Sequence, residues 1–286
     1  MSASVEVHPW TAWHERLKFT VYALLAFNTL LFFLDEWEAS EYLFSGEVPL
    51  AEVIVTFAAS IDTLAWVLLL AMFELETYQI PDDRLTPPVF HTLRLMRGLC
   101  YFFVVYAFYG YLSKAIGLSA YDLEALPDLC AGIPDGMAVL LDLDEFETLT
   151  TGNCAELVAS GDLRVAASGL VVAEPDTWRA TVRLAWTDVI NSGTWILVVA
   201  LLELDVRLQF EHRLIGYWRS FSRWSKYVLY PTLLGAALYW GLVGVFLDFW
   251  DAFLWLVAFV FIELNVFQWR DERESAEHSE SEAGSF

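Results

Sequence analysis

Basic residues are scarce in this chain. Among 286 residues, Lys and Arg together number 16 against 38 Asp and Glu, for a formal net charge of −22. The only lysines are Lys18, Lys114 and Lys226. So acidic a chain has no cationic surface to neutralise phosphates, which excludes nucleic acid as a partner. The signatures of soluble catalysis are missing too. There is no phosphate-binding Gly loop, no His-Glu-x-x-His and no Gly-x-Ser-x-Gly. The five histidines (His8, His14, His91, His212, His278) do not cluster in sequence. No metal centre or other cofactor is therefore expected, and an enzyme is the least favoured reading. Cysteine is rare as well, at three residues.

Apolar surface is what the chain has in excess. It is 57% hydrophobic, 16% aromatic and 19% charged, where a soluble globular chain is about 45–50% apolar and about 25% charged. That excludes a disordered protein and points to a membrane protein with acidic exposed parts. An acidic, lysine-poor exterior also fits a halophile, because high ionic strength screens self-repulsion.

A helix needs about 20 apolar residues to cross ~30 Å of hydrocarbon. Six segments qualify, at roughly 17–35, 52–75, 96–117, 187–205, 227–248 and 251–269. The expected fold is all-α and integral to the membrane. Helices one to three occupy 17–117 and helices four to six occupy 187–270, with an insert at 118–186 between the third and fourth. Residues 1–16 show no small-x-small cleavage site, so the first span reads as an uncleaved anchor. The acidic, Ser-rich tail 271–286 has the composition of disorder. Twelve Lys and Arg fall on the side of the two termini and four on the other, and positive loops mark the cytoplasm. The chain thus reads as a multi-pass protein of the cell membrane, both termini cytoplasmic and the insert outside. Cys130 and Cys154 lie in that insert. On an oxidising side they form a disulfide, and free thiols are the alternative. Cys100 sits in an apolar run and reads as a core residue. Within the insert, the stretch around Ser168-Gly169 reads as a short hairpin.

The even-numbered spans share a pattern. An Asp or Asn (Asp62, Asn191, Asp251) is followed four residues later by Trp (Trp66, Trp195, Trp255). Eight residues after the Trp comes Glu (Glu74, Glu203, Glu263), then Leu, then a second acid or amide (Glu76, Asp205, Asn265). The simplest account is three helical hairpins descended from one. Three two-helix units are similar in general plan to the mitochondrial carriers, but the Pro-x-acidic-x-x-basic motif of the carriers' odd helices is missing here.

Charge within an apolar helix costs about 2.5–3.5 kcal/mol on insertion scales, so repeated acids require a reason. Two reasons compete. Carboxylates gathered around a pseudo-threefold axis would form a path for a cation or proton, making the chain a transporter or channel. Alternatively, the acids pair with nearby Arg and lock hairpins together around core Trp wedges. The chain is then a non-transporting scaffold or accessory subunit whose outer insert binds a partner. Small residues in the fifth span (Gly235, Ala237, Gly241, Gly244) allow close helix packing or a homo-oligomer contact.

Overall fold

A computed structural model describes residues 9–44, 49–76, 87–120, 124–125, 129–134, 136–143, 145–160, 164–165, 171–210 and 216–259. The chain is mostly helical, with a small sheet in the insert. Three helices are long and apolar enough to cross a membrane: Glu15–Leu43 within α1 (Pro9–Leu43), α4 (Pro87–Ala120) and Pro175–Asp205 within α6 (Pro175–Phe210). A fourth is reached by counting α2 (Leu50–Thr56) and α3 (Ala58–Glu74) as one bent span. The fifth expected span is the helix α7 (Gly216–Val243). It is long enough, but Pro231 and its Tyr, Trp and Gly residues dilute its hydropathy. The sixth begins as helix α8 at residues 246–259 and then passes outside the described residues.

The chain divides into two compact units, Thr29–Ala236 and a smaller one of Met1–Asn28 with Ala237–Phe286. In the larger unit, α4 packs on α3, α6 and α2. Ala65, Met72, Cys100 and Val104 form an apolar cluster there, flanked by Trp66, Leu69, Leu93 and Ile196. Gly193 of α6 sits against Phe108 of α4, 3.1 Å from the ring to where a Cβ would lie.

The second span departs from the expected straight helix. It breaks at Phe57, and α2 and α3 meet at 72°. A helix start leaves N–H groups without intrahelical partners, and no side chain of α2 or Phe57 caps α3. The buried Glu36 of α1 does so from outside. Ala59 N–H donates to its Oε1 (2.7 Å), Ser60 N–H to its Oε2 (3.0 Å), and the Ser60 hydroxyl also donates to Oε2. On the other side of the break, Gly110 lets α4 come close. A Cβ there would lie 3.0 Å from the Ile54 carbonyl oxygen and 3.1 Å from Ala58 Cβ.

In the smaller unit, α7 turns into α8 at Gly244, whose φ of +99° favours glycine. Phe249 then folds back onto Gly241, 3.0 Å from where a Cβ would lie. At Gly235 a Cβ would meet nothing within 4 Å among the described residues.

The insert corrects the expectation of an all-α chain. It holds a five-stranded sheet in the order β1-β4-β5-β2-β3. The strands are β1 (Glu124–Ala125), β2 (Ala138–Asp142), β3 (Glu145–Thr148), β4 (Arg164–Val165) and β5 (Val171–Ala173). β4 and β5 pair antiparallel around the Ser168-Gly169 region, which itself lies outside the described residues. The core is Leu129, Met137, Val139, Leu149, Cys154 and Val172. A disulfide joins Cys130 to Cys154, the first residue of α5 (Cys154–Ser160), with Cα atoms 5.8 Å apart. The end of α1 reaches this sheet, where Tyr42 stacks on Phe146 at 5.7 Å.

Candidate functional site

The repeated polar residues lie on two levels of the helices. At the Asp/Asn level, Asp62 is buried on α3 and accepts a 3.5 Å contact from the Ser192 hydroxyl of α6. Asn191, beside Ser192, has a buried Oδ1 with no hydrogen-bond partner among the described residues. In the smaller unit, Asp251 of α8 accepts a 2.8 Å hydrogen bond from the Asn28 amide of α1, and Trp255, one turn on, also hydrogen-bonds it.

The acids at the far ends of the even helices are engaged more heavily. Glu76, just past α3, pairs with Arg97 of α4. Glu203 of α6 accepts a 2.5 Å hydrogen bond from Tyr101 of α4 and meets Arg207 on its own helix at 3.5 Å. Asp205 of α6 faces three donors on α7. These are the Trp218 indole at 3.0 Å, the Ser222 hydroxyl at 2.5 Å and the Lys226 ammonium at 3.2 Å. Glu74 is buried on α3. Glu263 and Asn265 lie outside the described residues.

The acids therefore link helices that follow one another in the chain. Arg97 and Tyr101 stand one turn apart on α4, so a single stripe of that helix holds α3 by one residue and α6 by the other. Nearby Arg are the partners expected for these acids from the sequence, whereas Tyr101, Trp218, Ser222 and Lys226 are not, although a signal for the pairs is in the sequence. Arg97 follows Glu76 by 21 residues, and Lys226 follows Asp205 by the same number. Each cation has a Tyr four residues on, Tyr101 and Tyr230. The first helix repeats the motif as Lys18 and Tyr22, and Lys18 is buried.

Burial follows the same register. Seven residues after the cation, Leu25, Val104 and Leu233 are all buried, and ten residues after it so are Asn28, Ala107 and Ala236. On the even helices, the residue before the Trp is buried in each case (Ala65, Thr194, Leu254), as is the residue three before (Thr63, Ser192, Ala252). Trp195 is buried, while Trp66 and Trp255 are half-buried.

The outer arginine of α6 finds a local partner. Arg179 pairs with Asp176 at 2.6 Å, both exposed. Among the described residues, no group of three or more His, Cys, Asp or Glu is placed to hold a metal ion. The chain matches no protein-family model, no curated protein and no solved structure.

Proposed function

We propose that the chain is a six-span protein of the cell membrane. On this reading it is built from three repeated hairpins and serves as a non-transporting scaffold or accessory subunit, with the disulfide-bonded insert as the face offered to a partner. The hairpins are α1 with α2–α3, α4 with α6, and α7 with α8 and the residues beyond. The basic-x-x-x-Tyr motif of the odd helices and the matched burial of their faces support the threefold repeat. The positive-inside count supports cytoplasmic termini. A disulfide in the insert agrees with an oxidising exterior.

One observation favours the scaffold role. The acids at the cytoplasmic ends are taken up in helix-to-helix pairs: Glu76 with Arg97, Glu203 with Tyr101, and Asp205 with Trp218, Ser222 and Lys226. A carboxylate that strips an ion of its water needs oxygen lone pairs turned toward the path. Lone pairs given to neighbouring helices serve assembly instead. The second reading, a cation or proton path, is favoured by the burial of both Asp62 and Glu74 on one helix.

Proteoliposome flux separates the two. With Na+, K+ and proton gradients, the scaffold reading expects wild-type vesicles to match protein-free ones and E74Q, E203Q and E263Q to change nothing. Protein-dependent flux that falls in these variants would establish the path instead.

A further inference from the structure

The exposed flank of α4 carries a shallow, open depression lined by His91, Arg94, Leu95, Gly98, Leu99 and Phe102. These positions recur every three or four residues, so they form one stripe along the helix. The end of the stripe nearer the helix start is basic, and the rest is apolar. Leu95, Leu99 and Phe102 are all exposed. Gly98 keeps the middle of the groove open, since a Cβ there would meet nothing within 4 Å among the described residues. The Arg94 guanidinium rests over the Phe90 ring at 4.7 Å and forms no ion pair among the described residues. Arg97, three residues on, is by contrast tied to Glu76.

A ligand for this stripe needs a negative head and a long apolar body. Inorganic phosphate would use only the basic end, and a purely apolar molecule would use only the rest. In a chain of net charge −22, an exposed cation above an apolar groove is the complement of an anionic amphiphile. We propose that this groove binds an anionic diacyl phospholipid. Its phosphate sits at Arg94 and His91, and one acyl chain lies over Gly98 between Leu95, Leu99 and Phe102. The site rests on the membrane reading above and is independent of the choice between scaffold and transporter.

The test is a titration of the delipidated, detergent-solubilised full chain with dioleoyl phosphatidylglycerol and dioleoyl phosphatidylcholine, read by native mass spectrometry. Phosphatidylglycerol is expected to bind more tightly. R94Q should weaken it about fivefold, in keeping with roughly 1 kcal/mol per basic residue at a lipid headgroup, and leave phosphatidylcholine unchanged. R94K should retain the preference. G98L keeps the charge but fills the groove, and should reduce retention of both lipids. It also carries the test should R94Q fail to fold. Inorganic phosphate should not compete. Equal affinity for the two lipids, unchanged phosphatidylglycerol binding in both R94Q and G98L, or displacement by inorganic phosphate would each overturn the site. Failure of the wild-type chain to enter bilayers would instead overturn the membrane reading.

Discussion

The second and fourth spans carry the same polar spacing on different backbones. α6 runs unbroken for 36 residues through Asn191, Trp195, Glu203 and Asp205. The second span bends 72° at Phe57, and only then do Asp62, Trp66, Glu74 and Glu76 follow. The break lies entirely on the N-terminal side of the motif, so the shared columns survive it. What differs is the helix in front. α1 supplies Glu36 to cap the start of α3. Counted from Lys18 and from Arg97, the place of Glu36 in α1 is taken in α4 by Ala115, which is buried in an apolar cluster with Ala185 and Val189 of α6. A methyl group cannot accept an N–H, and α6 passes that level as continuous helix with none to offer. The comparison teaches that the same polar spacing can sit on a straight or a bent backbone, and that the bend is accompanied by a capping carboxylate on the preceding helix and a close-packed glycine on the following one.

The largest way to break this comparison is E36A. It removes a buried acceptor from two backbone N–H groups and a hydroxyl, and should cost about 3 kcal/mol, measured by chemical or thermal unfolding in detergent. If stability were unchanged, the bend would not depend on Glu36. G110L is next, since its side chain would have to enter the contact with the Ile54 carbonyl. Overpacking of this kind costs about 2 kcal/mol, and the matched G193L should cost less because Phe108, a side chain rather than backbone, can yield. The smallest effect tests the proposed repeat. E76Q and D205N each neutralise an acid paired with the cation 21 residues on. D205N should cost about 1 kcal/mol and E76Q less, because the Glu76 pair is more exposed to solvent. A double-mutant cycle of each with R97Q or K226Q measures the coupling directly.

Much of this architecture was legible in the sequence. Helix length and hydropathy located the apolar segments, and the Asp/Asn–Trp–Glu spacing picked out residues that proved to lie on packed faces, such as Asp62 and Trp195. The break at Phe57 was not legible, because no Gly or Pro marks it and its causes, Glu36 and Gly110, sit on other helices. In the insert the β4–β5 hairpin was legible around Ser168-Gly169, but the rest of the sheet was not, because strands of two to five residues are too short to show an alternating pattern. Nearby Arg were foreseen as partners for the acids, but the common spacing of the cations was not. The spacing was read on the even helices, whereas Lys18, Arg97 and Lys226 with their following Tyr stand on the odd ones.

The direction of the acid–cation pairing bears on how the protein is made. Glu76 and Asp205 each leave the ribosome before their partner, and each partner follows 21 residues later on the next helix. At about 5–20 residues per second, that is a delay of roughly one to four seconds. During that interval the acid is without the cation that it meets in the folded chain. The next helix then brings the positive charge, so neither pair can close before the later helix has been made.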